Sequence, residues 1–274
     1  MIVRALIVVG LAACGTSTSQ PRPRTFGGDR PAELEVPEVL QSNRRLPLVV
    51  VLHDYGTDGA TEEDYFNLEN FSRSDVGFLI APEGMTDSQG KQFWNADPTC
   101  CDRDHQNPDD VGYVGNLIDQ IRIAWPIDPK ATMVIGYGNG GSMAYRLACE
   151  RADVVSNVVV LSAPMITTPC TPTSPVNVLH IHGTADTITP YTAAGQSVQQ
   201  WGVFDHCATS RTTGSPMDID DAIAGNETLT ESVSGCPAGI SVELWTIESG
   251  THTPSLATQF GATMQAWLSS HHRP

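Results

Sequence analysis

The sequence contains few basic residues: 15 Lys and Arg stand against 31 Asp and Glu, which gives a formal net charge of −16. A protein that binds nucleic acid neutralises phosphates with basic side chains, so this balance argues against nucleic acid as a partner. It argues equally against docking on anionic lipid by charge alone. The composition is otherwise that of a globular protein, with 40% hydrophobic residues, and 274 residues suffice for one large or two small domains.

Long apolar runs are also absent after the first residues. Residues 5–10 form a compact apolar run behind Arg4, too short to span a hydrocarbon core of ~30 Å. Small residues then precede Cys14, as in the lipobox of bacterial lipoproteins. We therefore expect a signal peptide over residues 1–13, and a lipidated cysteine with a flexible Pro/Gly-rich tether over residues 14–28. The protein would be an exported bacterial lipoprotein anchored to a membrane, periplasmic or on the cell surface. A plain secretory signal is the alternative.

Cysteines are few but even in number once one is assigned to lipid: six remain, which suits disulfides in an oxidising compartment. Cys207 and Cys236 lie in one polar, loop-rich segment, and we expect them to pair. The adjacent Cys100 and Cys101 are expected to bond to two different partners. The spacing leaves open the pairing of the other two, Cys149 and Cys170.

Metal-binding spacings are missing. The chain has no CxxC or HxxxH pair, and the acidic segment 102–110 lacks the glycine and terminal glutamate of a calcium loop. We expect neither a metal nor a cofactor.

Short apolar, β-branched runs alternate with segments of helical periodicity. Such an alternation predicts an α/β fold, with a mostly parallel sheet covered by helices on both faces. We expect one domain over residues 29–274. The predicted strands are 46–52, 77–81, 132–136, 154–162, 176–181 and 240–247; the predicted helices are 111–125, 140–150, 255–271 and one around 194–201.

A glycine-rich turn joins the predicted strand 132–136 to the next helix. Gly136, Gly138 and Gly141 fit the G-x-G-x-x-G spacing of dinucleotide-binding proteins, but no acidic residue ends a second strand about 20 residues on. The turn fits better the nucleophile elbow G-x-S-x-G of hydrolases, with Gly136 and Gly140 at its outer positions. The serine position is then held by Gly138.

Two further residues complete the chain order nucleophile, acid, histidine of α/β-hydrolases. Asp186 follows the predicted strand 176–181, and His252 follows the predicted strand 240–247. The pair His53-Asp54 ends the strand 46–52, where such folds place their oxyanion loop.

Several segments in register resemble the secreted polyhydroxybutyrate depolymerases and feruloyl and acetylxylan esterases. They are Val50-Val51-Leu52-His53, Phe93-Trp94-Asn95-Ala96, Cys100-Cys101, Asp109-Asp110-Val111-Gly112-Tyr113, Gly140-Gly141-Ser142-Met143-Ala144-Tyr145-Arg146 and His182-Gly183-Thr184-Ala185-Asp186. The resemblance covers residues 29 to 270 and implies an α/β-hydrolase fold and cleavage of carboxylic esters through a serine.

The resemblance also implies roles for individual residues. Asp186 would be the triad acid and His252 the triad base, and the backbone amides of Tyr55 and Asn139 would form the oxyanion hole. Asp54 is expected in the substrate cleft.

Trp94 is likewise expected in the cleft, with packing in the core as the alternative. The sequence departs from the family pattern at Gly138 in place of serine, at Asp54 where glycine is usual, and at Thr253-Pro254, which lacks the usual tryptophan.

Loss of the serine decides the expected function. Removing a catalytic serine costs on the order of 10⁶ in kcat. We therefore expect a monomeric member of this family that cannot perform ordinary serine hydrolysis but keeps a cleft for an ester polymer or an acylated glycan. The alternative is an active ester hydrolase that uses water activated by His252 and Asp186, or a displaced nucleophile.

Overall fold

The computed structural model describes residues 22–41, 43–73, 76–97, 99–165 and 169–274. The predicted signal peptide and Cys14 lie outside these residues. Within them, no helix is both long enough and apolar enough to cross a membrane.

A ten-stranded sheet forms the centre of the described structure, in the order β1-β2-β4-β3-β7-β8-β9-β12-β11-β10. Its six central strands run parallel, and the two outer strands on each side pair antiparallel. The strands are β1 (Thr25–Phe26), β2 (Ala32–Glu35), β3 (Leu46–Leu52), β4 (Phe78–Ile80), β5 (Met85–Thr86), β6 (Gln92–Phe93), β7 (Ile127–Tyr137), β8 (Asn157–Leu161), β9 (Asn177–Gly183), β10 (Arg211–Thr213), β11 (Thr228–Val233) and β12 (Val242–Ile247), with β5 and β6 forming a separate hairpin.

Helices cover both faces of this sheet. They are α1 (Gly59–Tyr65), α2 (Asp110–Ala124), α3 (Asn139–Glu150), α4 (Thr192–Phe204) and α5 (Phe260–Ser270). Alternate residues of β3 point to opposite faces: Val50 packs in the cluster with α2, α3 and α4, and Val51 in the cluster with α5. The two apolar layers explain why the central strands read as continuous apolar runs. The predicted α/β fold is confirmed.

The sheet begins earlier in the chain than residue 29. Thr25–Phe26 pairs with β2, and the Phe26 side chain is buried. The indole N–H of Trp125 donates to the Pro23 carbonyl at 2.7 Å. The predicted tether is therefore wrong for its last residues, because one buried aromatic ring and two strand residues fix them to the domain.

Three disulfides are formed among the cysteines that the structure describes. Cys207–Cys236 confirms the predicted pair, and Cys149–Cys170 joins the end of α3 to the segment after β8. The prediction for the adjacent cysteines is wrong, since Cys100 and Cys101 bond to each other. The other four described cysteines are already paired, so no separate partners are left for these two.

Candidate active site

Gly138 occupies a sharp bend between the end of β7 and the start of α3. Its φ of +51° lies in the region that glycine enters without penalty and that a side chain disfavours. Gly140 allows α3 to approach β3 closely, because a Cβ there would lie 2.1 Å from the Leu52 carbonyl oxygen. The local geometry is that of a nucleophile elbow.

Asp186 and His252 meet beside this bend. They follow β9 and β12, which are neighbouring parallel strands, so their loops emerge at the same edge of the sheet. The His252 Nδ1 lies 2.8 Å from Asp186 Oδ2. His252 also packs against the Tyr137 ring, with centroids 5.3 Å apart. The acid–histidine pair expected from the sequence is therefore assembled.

Further contacts hold the Asp186 carboxylate in place. The backbone N–H groups of Ile188 and Thr189 both donate to Oδ1 at 2.8 Å. Burial disfavours the charged carboxylate, but the hydrogen bonds from His252, Thr189 and Ile188 outweigh it and lower the pKa of Asp186. Asp186 therefore stays ionised and orients His252.

A buried chain of hydrogen bonds reaches the same carboxylate from inside the fold. Tyr145 Oη lies 2.6 Å from His180 Nδ1, and His180 Nε2 lies 3.0 Å from His182 Nδ1. The His182 Nε2 then lies 3.0 Å from the Thr189 carbonyl oxygen and 3.1 Å from Asp186 Oδ2. Burial lowers the pKa of both histidines, which favours their neutral forms. Neutral rings donating in turn toward Asp186 satisfy every link, so the chain braces the acid from behind.

Asp54 turns into the bend and fills it. Its Oδ1 accepts the Asn139 backbone N–H at 2.7 Å. A Cβ built on Gly138 would lie 2.1 Å from the same oxygen. The carboxylate therefore occupies the space that a side chain at position 138 would need, so any larger residue there requires Asp54 to shift.

The two amides expected to form the oxyanion hole serve this carboxylate instead. The backbone N–H groups of Asn139 and Tyr55 both hydrogen-bond to Asp54. Burial raises the pKa of Asp54, while these two hydrogen bonds and the nearby His252 partly offset that increase. The Asp54 carboxylate therefore engages the N–H groups that would otherwise stabilise the negative oxygen of a reaction intermediate.

Glu62 is a site neighbour that sequence reasoning missed. Its Oε2 accepts the Asp54 backbone N–H at 3.1 Å, whereas its Oε1 is buried without a hydrogen-bond partner. Burial, with a contribution from the charge of Asp54, raises the pKa of Glu62 to about 8. The sequence signal for this helix was Asp58, whose side chain caps α1 by accepting the Thr61 N–H. That cap places Glu62 in the first turn of the helix.

An open cleft of about 560 Å³ lies above the bend. It contains the predicted site residues Asp54, Gly138 and His252, and its wall includes Tyr137 and the Cys100–Cys101 disulfide. Its lining residues are Asp54, Tyr55, Thr99, Cys100, Cys101, Tyr137, Gly138, Asn139, Ser142, Pro164, Ile188, Thr189, His252 and Thr253.

The prediction that Trp94 lines this cleft is wrong. Its side chain is fully buried, and its indole N–H donates to the His53 carbonyl at 3.1 Å. Its backbone N–H donates to the Asn139 side-chain oxygen at 2.6 Å. Trp94 therefore supports the loop beneath the cleft rather than the ligand.

The hydroxyl of Ser142, an alternative reactive group in the cleft, is engaged elsewhere. The Ser142 hydroxyl lines the cleft but donates to the Pro164 carbonyl at 3.0 Å. Across the described ranges, no group of three or more His, Cys, Asp or Glu side chains could hold a metal ion.

A parallel sheet with an elbow after its central strand, and an acid–histidine pair at the ends of two later strands, defines an α/β-hydrolase. Residues 36–207 match the model of the phospholipase/carboxylesterase family, and the chain belongs to that family.

Comparisons with known proteins agree on an esterase-like chain. The sequence is 22% identical over 275 residues to feruloyl esterase D of Neurospora crassa, covering 93% of this chain and 88% of that protein. It is 23% identical over 239 residues to feruloyl esterase B of Piromyces equi, covering 80% of this chain and 42% of that protein. The acetyl xylan esterase of Aspergillus awamori superposes with a TM-score of 0.65 at 14% identity, covering 88% and 94% of the two chains.

The chain spans less than half the length of several of these relatives. It covers 32% of a bifunctional acetylxylan esterase/xylanase of Neocallimastix patriciarum, at 24% identity over 234 residues and 85% of this chain.

The expected resemblance to feruloyl and acetylxylan esterases is confirmed.

Proposed function

We propose that this chain is a membrane-anchored, exported member of the carboxylesterase family that binds an acylated ligand without performing ordinary serine hydrolysis. One observation carries the proposal: the Asp54 carboxylate lies where a serine side chain would stand and accepts hydrogen bonds from the oxyanion amides. His252 and Asp186 are in place but have no serine hydroxyl at position 138 to activate.

The size of the two losses supports this proposal. Removal of a catalytic serine costs on the order of 10⁶ in kcat. Removal of a single oxyanion donor costs a further ~10²–10³. In addition, a carboxylate at the site would repel the negative charge that develops on an acyl oxygen. Loss of the serine, loss of the oxyanion donors and repulsion by Asp54 thus all disfavour acyl transfer through a tetrahedral intermediate.

The ligand class follows from the cleft and from the family. The cleft joins apolar surfaces, Tyr137, Pro164 and Ile188, to polar groups at its floor. Feruloyl and acetylxylan esterases are among the relatives, so an aromatic or acetyl ester carried on a polysaccharide is the ligand we propose.

The test is a short-chain nitrophenyl ester assay on four proteins: the parent chain, Gly138→Ser, Asp54→Gly and the double variant. The parent is expected to be inactive. Gly138→Ser alone should stay inactive, because the new Cβ meets Asp54 Oδ1, and Asp54→Gly alone supplies no hydroxyl. The double variant should gain esterase activity by at least ~10²-fold, since it restores the hydroxyl and frees two amide donors.

His252→Ala in the double variant is the matched control and should abolish the gain. Turnover of the parent at ordinary esterase rates, lost on His252→Ala, would contradict the proposed function.

A further inference from the structure

The cleft holds a reactive group that ester hydrolysis does not use. We propose that Asp54 is a nucleophile toward saturated carbon, and that the chain hydrolyses an aliphatic epoxide through an ester formed on Asp54. The inference goes beyond the proposed function, because it concerns an activity of the parent chain that needs no serine.

The position of the Asp54 carboxylate supports its role as a nucleophile. The Asp54 carboxylate occupies the space of the missing side chain at Gly138, on the floor of the cleft. His252 lines the same cleft and is close enough for its charge to lower the pKa of Asp54. The carboxylate, rather than a hydroxyl, is the nucleophilic group that shares the cleft with the elbow and the histidine.

The chemistry of a carboxylate selects the kind of substrate. Attack on an acyl carbon would give an anhydride, which is less stable than the ester it came from. Attack on a saturated carbon gives a stable ester, provided that the leaving group departs readily. The strained ring of an epoxide meets that condition, and its oxygen stays attached to the same molecule, so no site for a separate leaving group is needed.

The first step forms a bond between an Asp54 carboxylate oxygen and a ring carbon while the carbon–oxygen bond of the ring breaks. The electron pair stays on the ring oxygen, which takes a proton from Tyr137. The Tyr137 hydroxyl is hydrogen-bonded to the Thr253 hydroxyl, and both residues line the cleft. Burial raises the pKa of Tyr137 to about 12, so the phenol carries its proton at neutral pH.

The second step hydrolyses the ester. His252, oriented by Asp186, takes a proton from water, and the hydroxide adds to the Asp54 carboxyl carbon. The negative oxygen of that intermediate belongs to the Asp54 carboxyl group, whose Oδ1 already accepts the Asn139 amide and which the Tyr55 amide also stabilises. Collapse of the intermediate breaks the bond between the Asp54 carboxyl carbon and the ester oxygen, which leaves with the alkyl group and takes the proton from His252. The proton left on the Asp54 carboxylic acid then returns to Tyr137. Epoxide and water give a diol.

The hydrogen bonds from backbone amides to Asp54 thus have a catalytic use in this reaction. In an acyl hydrolase, donors engaged by an internal carboxylate are lost to catalysis. For an ester carried by Asp54 itself, the same donors are already aimed at the atom that becomes negative. The apolar cleft wall, including Tyr137, Pro164 and Ile188, suits a hydrocarbon chain on the epoxide.

The experiment uses hexene oxide as the probe with the full chain and its His252→Gln variant. The parent should form the diol. The variant should accumulate one covalent adduct per chain, seen by intact mass and mapped to the peptide that contains Asp54. In one turnover of the parent in water labelled with heavy oxygen, the label should enter the Asp54 carboxyl and not the diol.

Asp54→Asn should lose diol formation by on the order of 10⁴-fold or more. Asp64→Asn, which removes an exposed carboxylate on α1, is the matched control and should keep the parental rate.

Absence of an adduct in His252→Gln together with unlabelled Asp54 in the parent would overturn the inference, even if Asp54→Asn failed to fold. Label found in the diol instead would also overturn it, because water would then attack the epoxide directly. Neither result depends on the nitrophenyl ester assay, so failure of this inference is distinguishable from failure of the proposed function.

Discussion

At the scale of single residues, Glu62 shows how burial near the cleft couples to pH. Its side chain is almost fully buried, and its pKa is raised from 4.5 to about 8. The folded chain therefore keeps a proton on Glu62 at pH values where the unfolded chain has released it. Because the folded state binds more protons in this window, the free energy of unfolding falls as the pH rises from about 4.5 to about 8.

Glu62→Gln should remove this dependence, since the amide resembles the neutral acid in shape and cannot ionise. We expect the variant to exceed the parent in unfolding free energy by about 2–4 kcal/mol above pH 8 and to differ little near pH 5. Urea denaturation at both pH values measures the effect. Glu38→Gln, at an exposed position, is the control and should leave the pH dependence unchanged. A parallel pair of pH curves for parent and Glu62→Gln would refute the assignment.

For single residues, the sequence predicts position correctly where that position follows from the order of the strands along the chain. Asp186 and His252 were found because strand ends in a parallel sheet meet at one edge. The direction of Asp54 could not be found, because it depends on two amide hydrogen bonds and on the empty space at Gly138. Trp94 was misplaced because an indole fits a cleft wall and a buried loop equally well from sequence.

At the scale of elements, continuous apolar runs located the central strands and helices, with boundaries that differ by up to five residues, as at the start of β7 and of α5. The strand 46–52 matches β3 at both ends, and the helix predicted from residue 140 begins one residue earlier, at Asn139. β10 and β11 were missed because their residues are largely polar and partly exposed on the antiparallel side of the sheet. α1 was missed because only seven residues form it and few of them are buried.

The Cys149–Cys170 disulfide ties the end of α3 to the chain that follows β8. It closes a loop with a sequence separation of 21 residues. Closing a loop of this length restricts the unfolded chain and stabilises the fold by about 3 kcal/mol.

Replacing both cysteines with alanine should therefore lower the free energy of unfolding by about 2–4 kcal/mol without changing the fold. Urea denaturation, with circular dichroism for the fold, measures this. The same replacement at Cys207 and Cys236 serves as the comparison, since that loop is of similar length, with a separation of 29 residues. No loss in the first variant would show that α3 is held by packing alone.

At the scale of the whole molecule, the central sheet is open and has two edge strands. The first strand pairs at one edge, and β10 lies at the other. We propose that Cys14, which precedes the described residues, anchors the chain to a membrane. The net charge of −16 offers no electrostatic substitute, because anionic lipid would repel it.

Cys14→Ser in a bacterial host should move the protein from the membrane fraction to the soluble exported fraction and prevent labelling by a fatty acid. Cys236→Ser leaves the proposed lipid site intact and is the control, which should stay with the membrane. A parent chain that is never labelled would leave the secretory-signal alternative in its place.

The contact between Asp54 and the bend at Gly138 also limits how this chain can be converted to a serine enzyme. A serine introduced first at 138 collides with the carboxylate, whereas glycine introduced first at 54 leaves a well-formed but idle pocket. Restoring a serine enzyme therefore calls for both substitutions, Asp54→Gly and Gly138→Ser. Two positions that lie 84 residues apart in the chain are therefore coupled through one contact.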